Sequence, residues 1–170
     1  MTKKVKKMSE PGDLYASMES FCSYFLKEID SLYQLAFLLT GSQQQGEECV
    51  VAALEDCRRA KVFKPWLESW SRLSVIDRAL KTVADKSAID AEKGAINSSA
   101  ERDAILQLNR FERLVYTLSV LEKYSVKDCA ILLRAARREV AEAKSRAIHE
   151  VSMFLAAPHV TQEDVIALGA

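Results

Sequence analysis

The sequence predicts an all-α protein of two small helical domains, the second of them a helix-turn-helix. Three observations carry that expectation. Apolar residues recur at three- and four-residue steps along most of the chain. No stretch alternates with the period of two that marks a strand. Gly and Pro number only 5 and 3 in 170 residues, which excludes loop-rich, collagen-like and Pro-rich disordered classes.

The first stripe runs through Leu14, Met18, Phe21, Phe25, Ile29, Leu32, Ala36 and Leu39, and reads as one helix about seven turns long. It stops at Thr40 and Gly41, because Gly suits the left-handed position after a helix end. Ser42, three residues before Gln45, has capping-box spacing and predicts a second helix with Cys49, Val50, Ala53, Leu54 and Cys57 inward. Pro65 fits the first turn of a third helix, where its missing N–H costs nothing. Trp66, Trp70, Leu73 and Leu80, with Ile76 or Val83, give that helix its apolar face, and both tryptophans are expected in the core.

Residues 85–104 lose aromatics and gain Ser, Asp, Glu, Asn and Gly, with the least structured-looking point at Ala95-Ile96-Asn97-Ser98-Ser99. This predicts a domain over residues 13–86, a linker over 87–104, a second domain over 105–157 and a tail over 158–170. Residues 108–122 read as a helix with Phe111, Leu114, Val115, Leu118 and Leu121 inward. Tyr124 and Ser125 interrupt it. Ser125 and Asp128 then cap a short helix ending at Leu133, residues 134–136 turn, and a longer helix follows over 137–154. Its expected inner face is Val140, Ala143, Ala147, Ile148 and Val151. Short helix, three-residue turn and longer helix with Arg at its start describe a helix-turn-helix. Pro158 closes the unit, and Thr161 with Asp164 can cap a short final helix.

The net charge is zero, from 24 basic and 24 acidic side chains, which excludes a uniformly basic nucleic-acid coat. The distribution is uneven: residues 1–12 carry net +3, residues 13–95 net −3, residues 105–150 net +3 and the last twenty net −2. The stretch 105–150 is the first candidate for touching a polyanion. Composition predicts that the Lys-rich residues 1–12 are disordered. No apolar stretch follows them, so no export is expected, and no apolar run has membrane-spanning length. The cysteines Cys22, Cys49, Cys57 and Cys129 lack CxxC pairing. They are expected as reduced cytoplasmic thiols on helix faces. Cys49 and Cys57 lie about 12 Å apart along one helix and cannot bridge each other. Both histidines come late, and His149 is expected at the surface. No nucleophile–base pair, phosphate loop or carboxylate cluster is visible, so no enzyme, metal or cofactor is expected.

The order and spacing of these pieces resemble a bacterial RNA polymerase sigma factor of the small, extracytoplasmic-function type, over roughly residues 14–154. Residues 32–41, LYQLAFLLTG, Glu47-Glu48-Cys49-Val50-Val51, and Phe63-Lys64-Pro65-Trp66-Leu67 with Ile76-Asp77-Arg78 resemble the family's region two. Residues 108–113 and 115–140 resemble region four, with Asn109 where the family has Pro, and Ala143-Lys144-Ser145-Arg146-Ala147 partly matches its basic tail. The resemblance implies a transcription initiation factor that binds core RNA polymerase and promoter DNA, with an anti-sigma protein as a further partner.

It assigns polymerase binding to Glu47, Glu48, Val51 and Glu55, and DNA binding to Arg137, Arg138, Ala141, Lys144, Ser145, Lys127 and Arg134. Lys123 is a further phosphate candidate, and Arg58, Arg59, Lys61 and Lys64 form a basic cluster that either tracks phosphates or is a solvated face. Arg146 is expected to pair with Glu142. The sequence departs from the family at Glu48, Val51, Leu73, Arg134 and Glu142, where the family has Asp, Gln, Asn, Gly and a neutral or basic residue. Two alternatives therefore stand beside the working sigma factor. One is a degenerate relative that binds polymerase or an anti-sigma partner without opening a promoter. The other is a helical interaction module that never meets DNA.

Overall fold

A computed structural model describes residues 14–85 and 99–157. Its architecture is all-α, and among the described residues the β pairing amounts to a single isolated bridge between Tyr15 and Phe63. The chain forms two compact units, residues 1–89 and 90–170. The Lys-rich residues 1–12, the centre of the expected linker, Pro158 and the expected final helix lie outside the described residues.

The first unit contains α1 (Met18–Lys27), α2 (Ile29–Thr40), α3 (Gln43–Arg59) and α4 (Leu67–Asp85). The sequence predicts α1 and α2 as one helix from Leu14, but the chain bends at Glu28, with φ −106° and ψ 15°. The backbone bonds Glu28 N–H to Tyr24 O and Leu32 N–H to Glu28 O still cross the bend, both at 2.9 Å. The two halves meet different surroundings. α1 buries only Phe21 and Phe25, whereas α2 is buried continuously from Leu35 to Thr40. Leu14 stays outside the helix and exposed, because Ser17 caps α1 by accepting the Ser20 N–H at 3.1 Å. The Ala16 N–H bonds Val62 O at 2.7 Å, tying this segment to the α3–α4 loop.

α2 ends where the sequence predicts, with Gly41 at φ 75° and its N–H on Phe37 O at 2.7 Å. Ser42 takes the N-cap position of α3 in extended geometry, but its side chain makes no capping bond. It is buried beside Thr40, whose hydroxyl donates to Ala36 O at 2.9 Å. Gly46 is buried where α3 crosses α2. A Cβ there would stand 3.2 Å from Phe37 N and 3.3 Å from Phe37 Cα, so the backbones approach as only a small residue allows. α4 packs on α2 and α3. Asp56 on α3 accepts both Nε–H and Nη2–H of Arg78 on α4, and this bidentate pair holds the Asp56 carboxyl below the ordinary aspartate range.

The expected face of α4 is a correction. Trp66, Trp70 and Leu73 are 63%, 42% and 37% exposed, and the core side is instead Ser71, Val75, Ile76, Ala79 and Val83. Ser71 escapes the desolvation cost by donating to Leu67 O at 2.7 Å. Its stripe of small and β-branched side chains at four-residue steps lies close against α2 and α3, and the indoles are left outside.

The second unit contains α5 (Ala100–Gln107), α6 (Arg110–Tyr116), α7 (Val126–Leu133) and α8 (Arg137–Ala156). α5 occupies residues that composition places at the end of the linker. Ser99 caps it, accepting the Arg102 N–H at 3.3 Å, and Ala104 and Ile105 are buried. The helix expected over 108–122 starts instead at Arg110, because Leu108 is extended and Asn109 caps α6 by accepting the Glu112 N–H at 3.0 Å. After Tyr116 the helix widens into a π turn over Thr117–Leu121, and Lys123 leaves it at φ 61°. α8 packs against α5, α6 and α7 along Val140, Ala143, Ala147 and Val151. Ile148, expected on that line, lies at its edge and is 41% exposed.

Two outcomes follow for stability. Leu32→Ala, at a site with 0% exposure, is expected to cost about 2–5 kcal/mol, while Leu26→Ala, 76% exposed, changes stability by less than about 0.5 kcal/mol; denaturant titration separates them. Asp56→Asn is expected to lose a small, salt-sensitive contribution at pH 6, since the pair is over a third exposed. Because the folded pKa of Asp56 is depressed, that contribution is full above the unfolded aspartate pKa and disappears as pH falls through the folded value. Melting curves of parent and variant are therefore expected to converge in strong acid.

Candidate functional site: the exposed helix faces

In the second unit the candidate surface is built by α7, the turn and α8. Ser125 caps α7, accepting the Asp128 N–H at 3.1 Å and donating to Asp128 Oδ2 at 2.5 Å. The chain reverses through Arg134 in the left-handed region, φ 52° and ψ 42°. The turn therefore keeps its geometry without the expected glycine, at a cost on the order of 1 kcal/mol. Ala135 N–H bonds Ala130 O at 3.0 Å, closing the end of α7.

α8 starts at Arg137 behind Ala136, which supplies no side-chain cap. Lys127, Arg134, Arg137, Arg138, Ala141 and Ser145 are exposed and Lys144 is half-buried. The sequence-predicted DNA residues thus share the solvent side of the α7–α8 pair, opposite Val140, Ala143 and Ala147.

The charges on this surface are partly committed. Arg138 Nε–H donates to Glu142 at 2.7 Å, one helical turn away. Arg146, expected on Glu142, instead donates its Nε–H to Glu112 on α6 at 2.6 Å. Glu112 is 3% exposed and also accepts from the Asn109 side chain. A carboxylate so deep requires charged partners, which is why Arg146 turns inward along α8; the pairing raises the Arg146 pKa. Arg113, one residue on, is 4% exposed, and burial followed by the Arg110 charge lowers its pKa. Its Nε has no hydrogen-bond partner among the described residues. Sequence patterning gives no signal for either buried charge, because both sit where periodicity allows a surface residue.

In the first unit, Glu47, Glu48, Val51 and Glu55 all lie on the exposed face of α3, opposite Cys49, Val50, Ala53 and Cys57. Gln44 donates to Glu48 at 2.9 Å and Glu55 pairs with Arg58 at 3.3 Å. Val51 is 66% exposed in the middle of this acidic face. The same unit carries an aromatic surface whose two tryptophans the sequence assigns to the core. Tyr15 stacks on Phe63 with centroids 4.7 Å apart, and Phe63 meets Trp66 edge-on at 5.4 Å. Trp70 and Leu73 continue it along α4. The signal that could have found it was the competing Ser71, Val75, Ala79, Val83 stripe, whose small members mark the closer helix contact.

The thiols of Cys49, Cys57 and Cys129 are buried, and burial pushes the Cys57 and Cys129 thiols above the ordinary thiol pKa, which disfavours the reactive thiolate at those two. His149 is exposed. Among the described residues no cluster of His, Cys, Asp and Glu is placed to hold a metal ion, and no helix is long and apolar enough to cross a membrane.

No protein-family profile and no curated protein matches the sequence. The structure is similar to the sigma factor RpoE of Bartonella quintana, solved with the anti-sigma factor NepR. The TM-score is 0.50 at 18% identity, covering 82% of this chain and 99% of that one. The fold is sigma-factor-like. The likeness is one of architecture, and the departures at Glu48, Val51, Leu73, Arg134 and Glu142 fall on exposed positions of this sigma-like fold.

Arg146→Ala is expected to destabilise the second unit at pH 7 by stranding the Glu112 carboxylate. Thermal unfolding of parent and variant at pH 7 checks this.

Proposed function

We propose that the chain is a sigma-like transcription initiation factor of the cytoplasm. It binds core RNA polymerase through the outer face of α3 and promoter DNA through α7 and α8, which act as a helix-turn-helix. The observation that carries this reading is the shared solvent side of Lys127, Arg134, Arg137, Arg138, Ala141, Lys144 and Ser145. The sigma-factor-like fold supports it.

The chemistry of each group fits. α8 enters the major groove N-terminus first, and Arg137 and Arg138 are the groups able to bond guanine edges or phosphates. Ala141 presents a methyl group suited to a thymine methyl, and Ser145 a hydroxyl that bonds any base edge. Lys127 and Arg134 flank the groove as phosphate contacts that set register. In the first unit, Trp66 and Trp70 offer indole faces on which unstacked bases can rest, with Arg58, Arg59, Lys61 and Lys64 as basic neighbours in the chain. Glu47, Glu48 and Glu55 around Val51 suit a basic polymerase surface with an apolar centre.

One observation favours the reduced form of this function. Glu142 pairs with Arg138 and is itself exposed on α8. A relative that holds polymerase or an anti-sigma protein without opening DNA would tolerate that pair; the Bartonella protein itself is solved with an anti-sigma factor.

Run-off transcription on fragmented genomic DNA with core polymerase distinguishes the two. Promoter-specific transcripts that disappear with Arg137→Ala and Arg138→Ala establish the initiation factor. Core binding without transcripts establishes the reduced form. Glu142→Gln is expected to release Arg138 for phosphate, raising DNA affinity at low salt. It should steepen the dependence of log K on log salt by about 0.9, measured by fluorescence anisotropy across a salt series.

A further inference from the structure

The first unit leaves an apolar surface uncovered at the α3–α4 connection. Tyr15, Phe63, Trp66, Trp70 and Leu73 are all exposed, Trp66 most of all at 63%. Trp66, Trp70 and Leu73 follow one another at four- and three-residue steps and so share one side of the helical stretch. Phe63 joins them through its edge-on contact with Trp66, and Tyr15 through its stack on Phe63. The bridge between Tyr15 and Phe63 and the Ala16 N–H bond to Val62 O hold the segment in place. Large apolar side chains grouped in this way mark a surface that something covers. The chain that carries them is basic: residues 57–67 include Arg58, Arg59, Lys61 and Lys64 and no Asp or Glu, and all four cations are exposed. Of the nearby acids, Asp56 is held by Arg78, Glu55 pairs with Arg58 at 3.3 Å, and Glu68 lies in the first turn of α4.

We infer that this surface is an interfacial anchor that docks the first unit on the face of an anionic lipid bilayer. Three observations select this occupant. The first is ring geometry. Tyr15 and Phe63 stack on each other at an interplanar angle of 25°, so a ring face of each is already occupied, and Leu73 has no π face. A partner that only stacks would use part of the patch, whereas the headgroup–acyl boundary accepts apolar side chains in any orientation. The second is composition. Trp and Tyr present an apolar body with a polar tip, and Lys and Arg bury an aliphatic stem while the charge stays in water, which is the mixture a bilayer boundary favours. The third is charge. A lipid surface is a plane of negative charge felt by any cation within about 10 Å, so the cations among the aromatics need no matching set of carboxylates. Each contributes about fivefold in binding near such a surface. The inference goes beyond the promoter reading and does not rest on it. The indoles offered to unstacked bases are the ones a bilayer would take, so the docked protein is withheld from open DNA.

The test uses the full 170-residue chain, whose two tryptophans are Trp66 and Trp70, so intrinsic fluorescence reads this surface alone. The probes are vesicles of phosphatidylcholine and mixed vesicles of phosphatidylcholine and phosphatidylglycerol, each made with and without brominated acyl chains. The expected result is a blue shift on mixed vesicles and quenching by their brominated form, with an affinity that falls as salt rises. The double variant Arg59→Gln, Lys61→Gln should bind about 25-fold more weakly while keeping the helical circular dichroism of the parent. The salt series on the parent repeats the test without any substitution. Absence of quenching by brominated mixed vesicles overturns the inference. Equal quenching by neutral vesicles overturns the choice of an anionic surface. A fluorescence change with oligothymidylate but not with vesicles also overturns it and leaves the indoles to single strands. A blue shift that grows with protein concentration in the absence of vesicles assigns the surface to a second copy. Failure here leaves the promoter reading standing, since run-off transcription contains no lipid.

Discussion

Close helix contact through small side chains is the constraint on which both units depend. In the first unit Gly46, Ala36, Ala53 and Ala79 are buried where α2, α3 and α4 meet, and in the second Ala104, Ala130, Ala143 and Ala147 serve the same purpose. Helices that approach this closely bury a narrow stripe each, and dispersion across the close contact compensates for its width. Every large side chain beyond the stripe is then left at an edge or outside. The exposure of Trp66, Trp70, Leu73 and Val51 is a consequence of that geometry, and so is the run of polar residues along the outside of α8.

The same constraint explains which parts of the fold were legible in the sequence. Periodicity located α3, α7, α8 and the length of α2, and the chemistry of Gly41 and Ser125 located the end of α2 and the start of α7, because these signals are local and act within one turn. The face of α4 was misassigned because large aromatics weigh more than Ser71 and Ala79 in a hydrophobic pattern, whereas packing selects for fit. The bend at Glu28 was hidden because backbone bonds continue across it and no Pro or Gly marks it. The start of α5 was hidden because eight residues with two buried side chains give little periodic signal. Of the candidate surface, exposure of the α8 and α3 residues was legible from their positions opposite the apolar stripes. The partners of their charges were not, since Glu112 and Arg146 are 34 residues apart and meet only through the tertiary fold.

Those pairings change how the basic stretch is to be understood. By composition, residues 105–150 carry a surplus of three positive charges. In the folded unit Arg146 neutralises a buried carboxylate, Arg138 is held by Glu142, and Arg113 is itself buried. Of the exposed or half-exposed cations outside these pairings, Lys123, Lys127, Arg134, Arg137 and Lys144 flank α7, its following turn and the first two turns of α8.

α7 is bracketed by two left-handed residues, Lys123 at φ 61° and Arg134 at φ 52°. Glycine would adopt either conformation without steric penalty, though it would give back part of that gain through the greater freedom of the unfolded chain. Both positions carry a long cation instead, at a site where backbone comfort alone would choose otherwise. A library screened only for folding would drift toward Gly or Asn at 123 and 134, while one screened for the proposed DNA contact would hold the cations. The divergence between the two libraries would show, position by position, whether charge outweighs ease of folding.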